Sequence, residues 1–178
     1  MKYYDELVKA MDILAADPRT VFMGQAVEVK GTAMTTTLVN VPADKKLELP
    51  VAEEMQMGLS TGLAIAGYIP VTFYPRWNFL LLAVNQLVNH LDKVKHMTRD
   101  GWQPNVIIRT SIGSIRPLNP QCQHLGDFTD AFRLMLTNIE VIRLEEPEDI
   151  VPAYTKALTR TDGKCTILVE YGDAYNEK

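Results

Sequence analysis

Residues 49–67 read LPVAEEMQMGLSTGLAIAG. Pro50 gives the chain a rigid entry, and the acid pair Glu53 and Glu54 falls in the first turn. Small or apolar residues then recur at helical spacing until Gly67 stops the run. The stretch predicts a buried helix with carboxylates at its start. An acid in a first turn complements the positive end of the helix dipole by a few tenths to about 1 kcal/mol, which explains the pair without any function. The small residues Gly58, Ser60, Gly62, Ala64 and Ala66 let another backbone or helix approach closely, which puts the helix at a crowded interface. A carboxylate in such a place is partly desolvated. Desolvation favours the neutral carboxyl, the condition for exchanging a proton with a bound base near neutral pH.

Outward from this helix, Ile69 to Tyr74 (IPVTFY) reads as a strand, with Pro75 and Arg76 at its exit. Asn78 to Thr98 reads as one long helix. Its apolar stripe of Phe79, Leu82, Ala83, Leu87, Val88, Leu91 and Val94 is wide enough to cover a sheet and meet a second partner. Arg99 to Gly101 breaks that helix, and Asn105 to Thr110 (NVIIRT) gives another strand. Gly113 to Gln123 is a loop carrying Arg116, Pro117 and Pro120. Helices over Phe128 to Leu136 and Glu148 to Arg160 then alternate with strands over Glu140 to Leu144 and Cys165 to Glu170. Toward the N-terminus, Tyr4, Leu7, Ala10, Met11 and Leu14 form an amphipathic helix ended by Asp17 and Pro18, and Val21 to Met23 is a short buried strand. Gly24 to Leu47, with Gly31, the run Thr35 to Thr37 and the polar Asp44 to Lys46, keeps no period and reads as a long functional loop. Strands that are continuously apolar and alternate with helices predict an α/β fold, an open and largely parallel sheet with helices on both faces, in one domain spanning 1–178. Ligands of such sheets bind beyond the carboxyl ends of the strands, here in the loops after Met23, Tyr74 and Thr110.

Composition narrows the function classes. With 47% hydrophobic and 22% charged residues, the 178-residue chain has the make-up of a soluble globular domain. A net charge of -4 and a pI near 5.4 leave no electrostatic footprint for nucleic acid. Cys122 and Cys165 show no CxxC or Cys/His spacing, so neither a disulfide framework nor a zinc site is expected, and a reducing, cytoplasmic setting fits. The first residues mix charges with apolar groups and lack a signal-peptide core. The longest apolar run, Phe79 to Val84, is far short of the roughly 18 residues of a membrane span, so no membrane partner is expected. No GxGxxG, GxxxxGK[ST] or GxSxG pattern occurs. Neither Gly126-Asp127 nor Gly172-Asp173 continues into a metal and diphosphate motif, so no phosphate site is expected on this chain.

PVAEEMQMGLSTGLAIAG, PVTFYPRWNF, AVNQLVNHLDKVKHM, QPNVIIRT and QCQH, taken in order and spacing, resemble the pyrimidine-binding domain of thiamine-diphosphate enzymes. The resemblance is to the N-terminal half of the beta subunit of pyruvate and related 2-oxoacid dehydrogenases, with transketolase more distantly similar, and it runs from about Val21 to the C-terminus. It implies that Glu53 is the glutamate that hydrogen-bonds the ring nitrogen of the cofactor's aminopyrimidine, favouring the imino tautomer that takes the proton from the thiazolium carbon. Glu54, about 100° around the helix, is then the dipole acid. Phe79 corresponds to the aromatic that stacks on the aminopyrimidine, although core packing explains it equally well. His124 corresponds to the histidine that reaches the reacting centre, where a loop histidine would otherwise be read as solvated.

The family's beta subunit continues into a second domain, whereas this sequence ends at Lys178, just past its last strand. The resemblance therefore implies the pyrimidine half standing alone in a split enzyme, inactive by itself. Thiamine diphosphate and Mg2+ would be completed by a separate diphosphate-binding subunit, in a hetero-oligomer with two copies of each chain. Pro75, Arg76 and Trp77 stand where the dehydrogenases carry other types, so substrate choice and acyl transfer to a lipoyl domain do not carry across. Arg76 and Arg116, in loops after strand ends, are candidates for an anionic group on a small-molecule substrate, because a guanidinium pairs bidentately with carboxylate or phosphate; a solvated surface charge is the alternative. A 2-oxoacid dehydrogenase or decarboxylase subunit is the first expectation. A transketolase-like two-carbon transfer subunit and a noncatalytic interaction protein that keeps the fold are the alternatives.

Overall fold

The computed structural model describes residues 2–30, 32–116 and 119–176. Gly31 and Pro117, singled out in the sequence, lie outside the described residues. The chain runs α1 (Tyr3–Ala16), β1 (Thr20–Gly24), α2 (Ala33–Thr36), β2 (Lys46–Glu48), α3 (Glu53–Ile65), β3 (Ile69–Tyr74) and α4 (Trp77–Leu80). It continues through α5 (Val94–Met97), β4 (Ile107–Ile112), α6 (Thr129–Met135), β5 (Ile139–Arg143), α7 (Pro147–Leu158) and β6 (Cys165–Tyr171). Among the described residues the six strands form one sheet in the order β2-β1-β3-β4-β6-β5, and each neighbouring pair is parallel. All strand C-termini therefore share one crest of the sheet.

Both faces are covered, as continuously apolar strands require. Against one face, Leu7, Met11 and Leu14 of α1 and Tyr154 of α7 bury Phe22, Phe73, Ile107 and Leu168. Against the other, Met57 of α3, Leu80, Leu87 and Phe132 bury Tyr74, Ile108 and Ile167. Trp77 packs its ring 4.7 Å from that of Phe132. No helix among the described residues is long and apolar enough to cross a membrane.

One polar network runs through the α1/α7 side. Arg109 of β4 and Glu170 of β6 are fully buried and paired at 2.7 and 3.0 Å. The guanidinium also meets Thr37 Oγ1 at 3.1 Å and lies 4.7 Å from the centre of the Phe73 ring. Tyr154 and Tyr175 donate their hydroxyls to Glu170. Burial drives both phenols well above their ordinary range, so they remain protonated donors.

Several sequence expectations need correction. The span expected as one helix over 78–98 is broken into α4, a 3-10 turn at Leu81–Ala83, a π segment at Gln86–Leu91 and α5. Asp92 is the cause. Its carboxylate turns inward to accept from the Thr137 and Asn138 N–H groups at 2.9 and 2.6 Å, and its own N–H reaches back five residues to Leu87. The buried stripe is Leu80, Ala83, Leu87 and Leu91, so Phe79 is only half-buried and Leu82 is exposed. The small residues of α3 also split. Ser60 and Ala64 face the sheet, whereas Gly62 and Ala66 point outward with open space over Gly62. The expected loop 24–47 holds α2 and leads into the edge strand β2, which was hidden because Lys46–Glu48 is short and charged. Strand β4 ends two residues later than expected, carrying Ser111 and Ile112 into the crest.

Candidate active site at the strand crest

Glu53 opens α3, and its side chain is 7% exposed. The helix starts there because Pro50 and Ala52 keep the chain extended before it, and the first intrahelical bond runs from Gln56 N–H to the Ala52 carbonyl. Gln56 then anchors the helix to the sheet by donating from Nε2 to Thr72 Oγ1 and the Phe73 carbonyl, each at 2.8 Å. The close fit needs Gly24 at the end of β1. Its φ is +144°, and a Cβ there would stand 2.9 Å from the Phe73 carbonyl oxygen. This seating turns Glu53 inward, where Gln25 Nε2 donates to its Oε1 at 3.4 Å and Tyr74 donates its hydroxyl to its backbone carbonyl at 3.2 Å. Glu54 is different. It is exposed and accepts from Asn85 and Gln86, and those hydrogen bonds hold its carboxyl below the ordinary range.

Beside Glu53 lies a cavity of about 450 Å³. Its walls come from the segments after β1, β3 and β4, the places where an open parallel sheet takes its ligand. Gln25 and Met34 contribute from one side, Arg76 and Phe79 from the second, and Ser114 and Arg116 from the third. Phe79 presents its ring 5.2 Å from the His124 imidazole, with the planes at 34°. His124 ends a 3-10 turn at Gln121–His124, and its Nδ1 is buried without a hydrogen-bond partner among the described residues. Arg76 is half-buried, and its Nη1 donates to the carbonyls of Ser114 and His124. Arg116 is exposed at the cavity edge. The structure thus gathers Phe79, Arg76 and Arg116 around one cavity and connects Glu53 to it through Gln25, with His124 against Phe79.

Chemically, the crest offers a buried carboxylate, a flat apolar ring, an imidazole and two guanidinium groups. A carboxylate and an aromatic face together suit a nitrogen heterocycle, one by a hydrogen bond and the other by stacking. No group of three or more His, Cys, Asp or Glu side chains that could hold a metal occurs among the described residues.

Sequence reasoning missed Gln25, Glu48 and Tyr175. Glu48, at the end of β2, accepts from four consecutive backbone N–H groups, those of Ala26 to Val29, and so fixes the loop that carries Gln25. Burial alone would raise the Glu48 carboxyl, but the four N–H groups bring it below its ordinary value. Gln25 could have been found from its place directly after Gly24 at a strand end. Tyr175 gave no local signal, because its partner Glu170 is read as an ordinary strand residue.

The fold is that of a transketolase-like domain. A solved structure described as a split-gene transketolase in an inactive beta4 tetramer matches it with a TM-score of 0.74 at 16% identity, over 97% of this chain and 52% of that one. In sequence, the chain is 30% identical over 142 residues to the 3-methyl-2-oxobutanoate dehydrogenase subunit beta of Mycobacterium tuberculosis, covering 78% of this chain and 40% of that protein. It is 26% identical over 182 residues to the mitochondrial pyruvate dehydrogenase E1 component subunit beta of Caenorhabditis elegans, covering 98% and 51%. No family model matches. The chain spans about half or less of the length of these relatives. In fold it is transketolase-like, and in sequence it is similar to part of the beta subunits of 2-oxoacid dehydrogenases.

Proposed function

We propose that this chain supplies the aminopyrimidine-binding side of a split thiamine-diphosphate site, as a subunit of a 2-oxoacid dehydrogenase or decarboxylase. The observation that carries the reading is the buried Glu53 carboxylate, hydrogen-bonded to Gln25, which lines a cavity shared with Phe79, against whose ring the His124 imidazole lies. The fit covers half the cofactor. Glu53 and Phe79 match a heterocycle, while a doubly charged tail with magnesium needs oxygen ligands from a second chain.

Bound thiamine diphosphate would supply carbanion chemistry on the 2-oxo group. The residues of this chain prepare it. Glu53 holds a proton between Oε and the pyrimidine ring nitrogen, with Gln25 keeping the carboxyl turned toward the site. Phe79 offers the face on which the ring stacks. His124 serves as acid or base at the reacting centre, and Arg116 at the cavity edge meets the substrate's anionic group. The diphosphate and Mg2+ belong to a separate subunit, and the assembly contains two copies of each chain. The relatedness to 2-oxoacid dehydrogenase beta subunits supports this reading over two-carbon transfer.

Glu53→Gln keeps the shape of the side chain and removes the exchangeable carboxyl proton. In the assembled enzyme it should cut turnover by about 10² to 10⁴-fold with folding and assembly intact, whereas Glu54→Gln should be mild. Equal losses in the two variants, or normal hydrogen exchange at the thiazolium carbon in Glu53→Gln, would overturn the assignment.

A further inference from the structure

Four contacts link Arg76, Phe79, Ser114 and His124 beside the cavity. Arg76 Nη1 donates to the carbonyl oxygens of Ser114 at 3.2 Å and of His124 at 3.0 Å. The Arg76 carbonyl accepts the Phe79 N–H at 3.0 Å. The Phe79 ring in turn lies 5.2 Å from the His124 imidazole. One residue therefore holds the backbone of both rings that face each other at the site.

The surroundings keep Arg76 in place. Ser111 donates from Oγ to the Pro75 carbonyl at 2.6 Å, tying the end of β4 to the residue before Arg76. Asp173 accepts the Ile115 N–H at 3.1 Å, pinning the clasped segment from its other side. The guanidinium thus joins the Ser114 and His124 carbonyls, which lie ten positions apart in the chain. Hydrogen bonds from a charged donor to carbonyls are stronger than neutral ones, and a single nitrogen serving two acceptors brings them close together.

We propose that Arg76 is a positioning residue, a clasp on the segment from Ser114 to His124 that sets the His124 imidazole against Phe79, rather than a ligand for the substrate's anion. The proposal rests on the reading of His124 as the acid or base. An anion-binding arginine turns paired N–H groups toward its ligand. Here Nη1 is given to two carbonyls, which fixes the guanidinium against Ser114 and His124 without any ligand.

The test uses the isolated chain with isotope-labelled histidine and phenylalanine, and needs no cofactor. In the wild type, nuclear Overhauser contacts should join the His124 and Phe79 rings. Arg76→Met should lose them and shift the amides near Ser114 and His124. Signals of His90 and His96 should stay fixed as the folding control. Arg76→Lys, whose ammonium can donate to both carbonyls, should restore the contacts. If Arg76→Met unfolds, Arg76→Gln is read in the same way. Ring contacts unchanged in Arg76→Met or Arg76→Gln, or absent from a folded Arg76→Lys, would overturn the proposal. In the assembled enzyme, Arg76→Met should lower kcat by about 10²-fold with KM for an anionic substrate unchanged, since displacement of a catalytic group acts on turnover. Arg116→Ala should instead raise KM. A raised KM with normal kcat in Arg76→Met would return Arg76 to anion binding. The magnetic resonance result stands apart from the cofactor assignment, so each can fail without the other.

Discussion

Glu170 shows how a single side chain can organise a region without touching the proposed chemistry. Its carboxylate is fully buried and meets Arg109, Tyr154 and Tyr175, so it joins β4, β6, α7 and the turn after β6. Removing one partner of a buried ion pair leaves the other charge desolvated and unpaired, at a cost of about 3–5 kcal/mol. Glu170→Gln should therefore lower stability by that order in urea unfolding, with Arg109→Met similar. The double variant should lose clearly less than the two single losses added together, because the second change removes the stranded charge. Strict additivity would mean that the pair is not coupled. In the sequence, Arg109 lies inside NVIIRT and Glu170 inside CTILVE, each reading as the polar end of an apolar strand. Pairing them requires knowing that β4 and β6 are neighbours, which no local pattern reveals. Glu53 and Phe79 stood out as candidates only through resemblance, since a first-turn acid and a helix-start aromatic both have ordinary explanations. Arg76 was visible as a residue but not as a clasp, because its two acceptors lie 38 and 48 residues away.

The elements themselves were largely legible where an apolar run had clear stops. Strand β3 matches its expected span of Ile69–Tyr74, and α7 begins at Pro147, one residue before its expected start at Glu148. The segment from Trp77 to Met97 shows where periodicity fails. A run of apolar and helix-forming residues predicts continuity, but Asp92 is only 1% exposed and is taken up by a different part of the fold. Burial alone would raise its carboxyl, while Lys93 and the Thr137 and Asn138 groups lower it to a net value below the ordinary range. A carboxyl with a lowered folded pKa stabilises fully above its unfolded pKa near 3.9, and that stabilisation is lost as pH falls through the folded value. Asp92→Asn should consequently be less stable than the wild type at neutral pH, and the gap should narrow as pH drops below about 4. Urea midpoints measured from pH 7 to pH 3 would show it. Parallel profiles would mean that Asp92 carries no pH-linked stability.

At the scale of the molecule, the outward side of α3 and its neighbour remain apolar. Val51 is 77%, Met55 47% and Leu82 61% exposed. Such a patch beside the proposed half-site fits closure by a second chain. Met55→Lys combined with Leu82→Lys should change monomer stability by no more than about 0.5 kcal/mol, as surface substitutions usually do, and should abolish association with the diphosphate-binding partner in sedimentation velocity. Calorimetry on the chain alone should detect little or no thiamine diphosphate binding, and adding the partner should restore binding in a magnesium-dependent way. Tight binding by the lone monomer would sink the split-site reading.

The hydroxyl of Tyr3 has a consequence for how the chain is made. It donates to the Leu144 carbonyl at 2.9 Å and accepts the Tyr171 N–H at 3.0 Å, from a residue 168 positions away. Helix α1 is therefore held by residues made 141 and 168 positions after Tyr3. Until those emerge, the apolar face of Leu7, Met11 and Leu14 can meet only the earlier members of its cluster, such as Phe22 and Phe73. Long-range closure of this kind is slow and leaves hydrophobic surface exposed in the meantime. During synthesis α1 thus keeps part of its apolar face uncovered across the whole stretch from β1 to α7, and the domain closes only once Tyr171 is in place.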